Sequence, residues 1–560
     1  MLKRCLLLGS FIACPATAQA PGIVNPGYHS QRGLTAALDS LARRYPRLVN
    51  VSSLVKSPGG RDVYAIRLAA GPEPDQRPAL LVVANTNGPD VISSEAALAV
   101  AGRLAAAYGG DSAVTRLLDR NVVYLIPRAN PDAAEAMFAT PLGERVRNDA
   151  AFDDDRDQVD DEDGPEDLNG DGLITLMRIE DPAGDWMPDS AEPGLMRKAD
   201  PARGEVGRYQ VYPEGRDNDG DQAWNEDPPG GVDPNRSFSY GYTYFSTGAG
   251  NDPLDAPEAR AVAQFFVDHP NVAVVYVLGP QDNLLKAWET KKGASSDDPP
   301  TSVMDQDEAW YAEVSHRFQR TTGLDKGPAS AALEGDPLSF AYYHMGRWTF
   351  GTRTWWAPEG TDTTSKRPEK APGGGGDKDP LKDERTALRW LRQNRPDGFI
   401  DWQRVQHPDF PGKVVEVGGF RPFAVLNPPM SEFDSVFARQ ARFVTQLGRM
   451  LPSISLREVR VERVGPQVYR VTAQVANDGF LPTTSQAGNR VRWPQRVRME
   501  LVLNGQQISG GRAIQLLDPI PGSGRSVELT WLVVGTADSR LTLRASSPVA
   551  GRVETTITLR

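Results

Sequence analysis

The chain has 560 residues, of which 39% are hydrophobic and 24% charged, which excludes a wholly disordered protein and favours two or three folded domains. After residue 20 no run of about 18 apolar residues occurs, so the sequence does not indicate a transmembrane protein. The formal net charge is -11, whereas a protein that binds nucleic acid needs a basic surface to neutralise phosphates. Nucleic acid is therefore not expected as a partner.

The first 20 residues have the pattern of an export signal. Lys3 and Arg4 precede a short apolar core, which small residues follow near position 20. We therefore predict a signal peptide over residues 1–20 and an exported protein, periplasmic or secreted. A lipoprotein acylated at Cys14 is the less favoured alternative, because a proline follows that cysteine. Both cysteines of the chain lie in this segment, so a mature chain would have no disulfide.

Strand and helix patterns alternate through the first half of the chain, and this indicates an α/β fold with helices layered on a sheet. A very acidic stretch, residues 149–227, interrupts the alternation. Asp255 is positioned to cap a helix that Pro257 opens. Predicted helices cover residues 34–45, 93–107 and 257–267, and predicted strands cover residues 49–55, 63–68, 80–84, 122–126 and 272–278.

The last third of the chain contains two changes of composition. Residues 358–384 are rich in Gly, Pro, Lys and Asp and predict a flexible insertion. After residue 451, apolar and polar residues alternate with period two, as in residues 459–461 and 497–501. These patterns predict a main domain over residues 21–451 and a C-terminal β-sandwich over residues 452–560.

Five short segments occur in a fixed order between residues 28 and 450. They are residues 81–90, 123–132 with Asn130-Pro131-Asp132, 231–236 with Asp233-Pro234-Asn235-Arg236, 256–260 and 346–350. In this order they resemble the zinc carboxypeptidase family, the metallopeptidases of the carboxypeptidase A and B type. The resemblance implies a mixed sheet of about eight strands with helices on both faces. It also implies hydrolysis of the last peptide bond by a zinc ion, held by a His-x-x-Glu pair and a later His, with a glutamate as base.

The positions that the resemblance assigns to zinc and to the catalytic base hold other residue types. An amide, a shorter carboxylate and a glycine do not make a three-ligand zinc site, and an arginine cannot act as a base. We therefore expect neither zinc binding nor hydrolysis, and none of the five histidines has two-histidine zinc spacing. The residues are Asn87 and Asp90 at the His-x-x-Glu pair, Gly279 or Leu278 at the later His, and Arg353 or Thr354 at the glutamate.

Other site residues keep the type that the resemblance implies. Asn235 and Arg236 correspond to the pair that binds the terminal carboxylate of the peptide; the alternative is a purely structural arginine paired with an acid. Arg178, with Arg197 as its alternative, resembles the arginine that polarises the scissile carbonyl. Glu416 is a second candidate for the catalytic glutamate, and a structural role is preferred for it.

The acidic stretch predicts calcium binding. Its central loop places oxygens at the first, third and fifth positions of an EF-hand-type loop, and two copies of one carboxylate ladder flank that loop. A solvated, disordered acidic insertion is the alternative. The calcium candidates are Asp153, Asp155, Asp157 and Glu162 in the first copy, Asp167, Asn169 and Asp171 in the central loop, and Asp217, Asp219, Asp221 and Glu226 in the second copy.

Three functional hypotheses follow from these residues. The first is a carboxypeptidase-like protein without zinc or catalysis that binds a peptide C-terminus or a protein partner in the old cleft. The second is an active metallocarboxypeptidase with a non-standard metal site, such as one formed by Asp90 and Glu416. The third is a scaffold that presents the C-terminal β-sandwich to a ligand. The oligomeric state is not predicted by any of these patterns.

Overall fold

The computed structural model describes residues 27–154, 156–291, 302–359, 379 and 381–560. The predicted signal peptide, Asp155 and most of the predicted insertion at 358–384 lie outside these ranges, so their assignments stay predictions.

Strands and helices are numbered in chain order. The strands are β1 (Val49–Lys56), β2 (Asp62–Leu68), β3 (Ala79–Ala84), β4 (Val122–Ile126), β5 (Leu176–Glu180), β6 (Trp186–Pro188), β7 (Met196–Lys198), β8 (Tyr209–Pro213), β9 (Val272–Leu278), β10 (Trp348–Thr352), β11 (Phe399–Val405), β12 (Val415–Phe420), β13 (Ile454–Gly465), β14 (Val468–Asn477), β15 (Arg498–Val502), β16 (Gln507–Gly510), β17 (Ile514–Leu516), β18 (Arg525–Val534), β19 (Arg540–Ser547) and β20 (Gly551–Thr558). The α-helices are α1 (Gln31–Arg44), α2 (Val91–Ala107), α3 (Ser112–Arg120), α4 (Pro131–Glu135), α5 (Pro257–Asp268), α6 (Asp305–Thr322), α7 (Pro337–Ser339), α8 (Lys382–Asn394), α9 (Phe433–Gly448) and α10 (Gln486–Val491).

The central sheet has the strand order β1-β2-β4-β3-β9-β10. The strands β1, β2 and β4 pair antiparallel, whereas β4, β3, β9 and β10 run parallel to one another. The four parallel strands are buried along their whole length, and three of them, β3, β4 and β9, are continuous apolar runs in the sequence. Their carboxyl ends therefore share one edge of the sheet.

Helices cover both faces of this sheet, as the sequence predicted. Leu80 and Val82 face a core shared with α1, α2, α3, α6 and α9. Leu81 and Val83 point the other way and pack with residues of α5. Because side chains alternate along a strand, one apolar run supplies both layers. The prediction of a mixed α/β sheet with helices on both faces is confirmed.

The start of α5 differs from the prediction. Ala256 is its N-cap and contributes no side-chain hydrogen bond. Asp255 does not cap the helix; its Oδ2 accepts a hydrogen bond from the amide of Asn251 at 3.0 Å and so closes the preceding turn. Pro257 does occupy the first helical turn, where its missing N–H leaves no bond unmade.

A second sheet, with the order β11-β12-β5-β8-β6-β7, is antiparallel throughout. Four of its strands, β5 to β8, come from the acidic stretch. Met177 and Ile179 of β5 pack with Val415 and Val417 of β12 in a small apolar core. The central sheet has six strands among the described residues rather than the expected eight, and β11 and β12 belong to the second sheet.

The C-terminal residues form two antiparallel sheets, β13-β14-β18-β16 and β17-β15-β19-β20. Trp531 of the first sheet and Met499 of the second belong to one buried apolar cluster, so the sheets share a core. Trp348 Nε1 of the central sheet donates to Pro482 O at 3.1 Å. Close by, Gly346 (φ +63°) approaches Gly488 so closely that a Cβ would lie 2.3 Å from its Cα. The two units are thus in direct backbone contact.

No single helix in the described ranges is long and apolar enough to cross a membrane; Val91–Ala107 and Ser112–Arg120 meet that requirement only as a pair bent by 102°.

Candidate functional site

The candidate site lies at the carboxyl ends of β3, β9 and β10. The loop after β3 is shaped by Asn85, a buried residue in the left-handed region at φ 57°. Its Nδ2 donates to the carbonyls of Asn87, Gly88 and Asp90 at 3.2, 2.9 and 3.0 Å. Asparagine tolerates this conformation because its short polar side chain hydrogen-bonds locally. The loop therefore holds the backbone at positions 87 and 90 in a defined turn.

Asp90 and Arg353 are electrostatic neighbours across this edge. Asp90, 6% exposed, precedes α2, and Arg353 directly follows β10. Burial raises the pKa of Asp90 to about 7, and the positive charge of Arg353 opposes that rise. The Arg353 guanidinium thus lies near Asp90 and supplies positive charge there. Asp90 is the one carboxylate at the positions that the resemblance assigns to zinc.

Ionisation of Asp90 should destabilise the fold. Its pKa is about 7 when folded and about 3.9 in an unfolded chain, so the folded state binds more protons between these values. The free energy of unfolding should then fall as pH rises from about 5 to 7, by up to about 1.4 kcal/mol per pH unit for each proton. Burial raises the pKa of Asp233 and of Glu258 to about 7 as well, so their ionisation should lower the free energy of unfolding in the same pH range.

Urea unfolding between about pH 5 and pH 8 measures this slope. Asp90→Asn should flatten it and raise stability at the alkaline end. Asp434→Asn is the matched control, because that carboxylate is 91% exposed. An identical slope in the Asp90→Asn protein and the unmodified protein would contradict the expectation.

Gly279 follows β9 at the same edge. A Cβ added there would lie 3.6 Å from Thr86 Oγ1, so the residue faces the loop after β3. Thr86 Oγ1 donates to Asn235 Oδ1 at 2.9 Å, which ties the Asp-Pro-Asn-Arg segment to this edge. The structure therefore brings Asn87, Asp90, Gly279, Arg353 and Asn235 to one edge of the sheet.

These residues do not fit a zinc ion. They offer one carboxylate and two amides, a glycine without a ligand atom, and a guanidinium that repels a cation. Among the residues that the structure describes, no converging group of three imidazoles or carboxylates includes Asp90. Four histidines hydrogen-bond other partners: His29 to Glu95, His269 to Phe265 O, His344 to Ser239 and His407 to Gly215 O, at 2.7, 3.0, 2.9 and 2.8 Å.

Arg236 is on the surface beside this edge. Its side chain is 34% exposed, and its Nη2 is 3.2 Å from the carboxylate of Glu334, itself 49% exposed. Glu334 follows a segment, including Ser330 and Leu333, that lines a cavity of about 1300 Å³. Arg353 lines the same cavity. Arg236 and Arg353 therefore flank the segment of residues 330–334.

Arg178, the candidate for polarising the scissile carbonyl, is engaged in an ion pair. It is on β5 in the second sheet, where its Nε and Nη2 are 2.8 and 2.7 Å from Glu416 Oε2. Its guanidinium also lies 4.4 Å from the ring centroid of Trp402. The alternative, Arg197, is paired with Glu205 at 2.6 Å. Both arginines are thus engaged by acids, Arg178 by Glu416 of β12 and Arg197 by Glu205 of the loop before β8. A structural role for Glu416 stays a prediction.

Three arginines that the sequence analysis missed surround the start of the acidic stretch. Arg61 Nη1 donates to Asp132 at 2.8 Å and to Asp149 at 2.6 Å. Arg145 also pairs with Asp149, and Arg147 pairs with Asp154. The signal was present as arginines at alternate positions just before the acids. The sequence does not say which acids pair with these arginines, because a run of carboxylates is also the pattern of a cation site.

Several buried polar atoms near the site have no hydrogen-bond partner. Asn85 Oδ1, Gln281 Oε1 and Thr354 Oγ1 are of this kind, as are Asp282 Oδ2 and Arg353 Nε. Asp282 and Arg353 also line the cavity. Because buried polar groups normally have a partner, this concentration is typical of a surface that binds a polar ligand.

The calcium candidates adopt three turn-like loops. Asp153, Asp167 and Asp217 each accept hydrogen bonds from backbone amides of their own loops. In the central loop, Asn169 Nδ2 donates to Asp171 Oδ2 at 3.0 Å. The buried Glu214, which the sequence analysis missed, accepts from Leu168 N and Thr175 N, both at 2.9 Å.

Comparisons with known proteins agree with the motifs. Residues 34–160 match the family description "Zinc carboxypeptidase", and residues 453–558 match a domain of unknown function, DUF8731. Residues 34–160, less than a quarter of the chain, are thus similar to the zinc carboxypeptidase family. Carboxypeptidase M of Mus musculus is 30% identical over 112 residues, 20% of this chain and 25% of that protein. Carboxypeptidase D of Homo sapiens is 32% identical over 111 residues, 19% of this chain and 8% of that protein.

The matched segment thus spans a quarter or less of the length of these two carboxypeptidases. Among solved structures, thrombin activatable fibrinolysis inhibitor aligns with a TM-score of 0.35 and 14% identity over 58% of this chain and 68% of that chain. Carboxypeptidase A from Helicoverpa armigera aligns with a TM-score of 0.36 and 14% identity over 59% and 65%.

Proposed function

We propose that this protein is an exported, non-hydrolytic member of the zinc carboxypeptidase family that binds the C-terminus of a peptide or a protein partner. The observation that carries the proposal is the pair Asp90 and Arg353 at the sheet edge. Hydrolysis by this family needs a metal-activated water and a carboxylate base. Here an arginine takes the position of the base, and Gly279 supplies no ligand. Export rests on the N-terminal sequence pattern alone.

Binding is supported by the chemistry of the two arginines beside the cavity. A peptide C-terminus is a carboxylate, for which a guanidinium provides two parallel N–H donors. Arg353 lines the cavity, and its buried Nε has no hydrogen-bond partner in the protein. Arg236 is occupied by Glu334, but an exposed pair of this kind contributes only about 0 to 1 kcal/mol. A peptide carboxylate can therefore displace Glu334.

The experiment compares two forms of one fluorescent peptide, with a free and with an amidated C-terminus. The free form should bind about tenfold or more tightly, because hydrogen bonds to charged groups contribute about 1.5 to 3 kcal/mol. Fluorescence polarisation gives both affinities, and mass spectrometry of the recovered peptide should show no shortened product.

Variants locate the binding site. Arg236→Ala and Arg353→Gln should each reduce the difference between the two peptides. Arg103→Ala is the matched control, because Arg103 lies on α2 and pairs with the exposed Asp434 of α9. Equal binding of the two peptides, or an unchanged difference in both variants, would show that the arginines are architectural and would favour the scaffold hypothesis.

The hypothesis of an active enzyme with a non-standard metal is weaker. It requires Asp90 and Glu416 to contact one ion, yet the Glu416 carboxylate is held by Arg178 in the second sheet. Within the described ranges, neither residue belongs to a converging group of three carboxylates or imidazoles. Trimmed peptide in the binding experiment, lost in Asp90→Ala, would restore this hypothesis.

A further inference from the structure

The two copies of the acidic ladder face each other around a local twofold arrangement. Residues 153–163 and 217–227 meet at an antiparallel bridge between Asp163 and Asp227. Asp163 Oδ1 accepts a hydrogen bond from Asn218 N at 3.1 Å. In the equivalent contact, Asp227 Oδ1 accepts from Asp154 N at 3.3 Å. The last aspartate of each copy therefore closes the loop of the other copy.

This arrangement brings carboxylates of both copies together. Oxygens of Asp157, Glu162 and Asp219 lie within 4.8 Å of one another, and so do oxygens of Asp217, Asp219 and Asp221. Two oxygens bound to the same calcium ion at about 2.4 Å are at most about 4.8 Å apart. Each group is thus compact enough for one ion, and Asp219 belongs to both.

A second observation points to a cation at this place. Asp227 is fully buried, and its Oδ2 has no hydrogen-bond partner. Its carboxylate interacts directly with that of Glu162, whose two oxygens are also buried without a partner. Both oxygens of Glu226 are likewise buried without a hydrogen-bond partner. Buried polar atoms in a folded protein are normally satisfied, and carboxylates that face one another need a shared positive charge.

The basic residues of the described chain do not supply that charge. None of Glu162, Asp219, Glu226 and Asp227 has a lysine or arginine nitrogen within 4.0 Å in the part that the structure describes. Among the guanidinium groups near the ladder, Arg147 pairs with Asp154, Arg216 pairs with Glu166, and Arg156 lies over the ring of Phe245.

We propose that Asp157, Glu162, Asp217, Asp219 and Asp221 form a two-calcium site that joins the two copies of the ladder, with Asp219 as the shared ligand. Asp227 and Glu226 line this site. The proposal is independent of what the cleft binds. It assigns the ions to the junction of the two copies, whereas the sequence pattern pointed equally to the central loop at 167–171.

The ligand chemistry favours calcium over other divalent ions. Calcium accepts six to eight oxygen ligands in irregular geometry, and carboxylates from several loops can satisfy it. Magnesium requires near-octahedral geometry and retains water, so it is seldom enclosed by many carboxylates. Zinc prefers nitrogen and sulfur ligands, which the group lacks.

The test uses the full chain, freed of metal with a chelator and then titrated with calcium chloride. Calorimetric titration should give about two calcium ions per chain, and magnesium chloride should bind at least tenfold more weakly. The melting temperature should rise with calcium, because an ion bound only to the folded state stabilises it. Asp219→Asn should remove at least one ion and more than half of this rise.

The variant also separates an ion ligand from a structural residue. In chelator, Asp219→Asn should melt at or above the temperature of the unmodified protein, because it relieves repulsion; in millimolar calcium it should melt below it. Asp185→Asn, a loss of an exposed acid in the same insertion, should match the unmodified protein in both conditions. A lower melting temperature for Asp219→Asn in both conditions, or unchanged calcium binding in that variant, overturns the proposal.

Discussion

The triple variant Asn87→His, Asp90→Glu, Gly279→His should hold about one zinc ion per chain, whereas the unmodified protein should hold less than about one tenth. The three positions follow β3 and β9, which are paired neighbours in the central sheet, so their side chains share one edge. The substitutions restore two imidazoles and a carboxylate, the ligand set that the resemblance implies. Metal analysis after exhaustive dialysis measures the result.

The structure leaves room for the added histidine. A Cβ at Gly279 would meet Val277 and Thr86 at 3.5 and 3.6 Å, which is ordinary van der Waals contact. Adding Arg353→Glu should raise the zinc affinity further, because it removes a positive charge beside the ion. The matched control replaces Gly279→His by Gly279→Ala and should bind no zinc. Stoichiometric zinc in the unmodified protein, or none in the folded four-site variant, would contradict this prediction.

Arg178→Ala should lower the free energy of unfolding by about 3 kcal/mol, which is the lower end of the range for breaking a buried ion pair. The pair joins β5 to β12 at the register position where Arg178 and Glu416 face each other, and the two side chains are 13% and 20% exposed. Loss of the arginine leaves the Glu416 carboxylate without its partner and removes the contact with Trp402. Chemical unfolding measures the effect.

Two further readouts distinguish this structural role from a role in the cleft. Peptide affinity should not change in Arg178→Ala. The double variant Arg178→Ala, Glu416→Ala should be less destabilised than the sum of the single variants, because the residues act as one pair. A tenfold loss of peptide affinity at unchanged stability would instead support Arg178 as a substrate-binding residue.

The sequence predicted the central sheet well because its signals are local. The strand β4 coincides with the predicted 122–126, and the helix predicted from Leu34 begins behind its Ser30 cap, which accepts a hydrogen bond from Gly33 N. The residues at the sheet edge were also readable, since motif order alone locates Asn87 and Asp90. Burial of the Asp90 carboxylate beside Arg353 was not, because it depends on how the ends of β3 and β10 approach each other.

The second sheet could not be predicted from local patterns. Its central pairing joins Arg178 to Glu416 across 238 residues of chain, and no periodicity carries that information. The repetition in the acidic ladder was visible, but its consequence was not. Only the bridge between Asp163 and Asp227 shows that oxygens from different copies converge.

The second sheet is built from two distant parts of the chain, and this limits how the protein can be shortened. In the sequence, residues 149–227 look like a detachable insertion, yet their strand β5 pairs with β12 from Val415 to Gly418. Excising the segment would leave β12 paired only with β11, with Val415 and Val417 stripped of Met177 and Ile179. An apolar strand with an open edge recruits other strands, including those of a second molecule. A chain trimmed to the minimal carboxypeptidase outline should therefore self-associate rather than remain monodisperse.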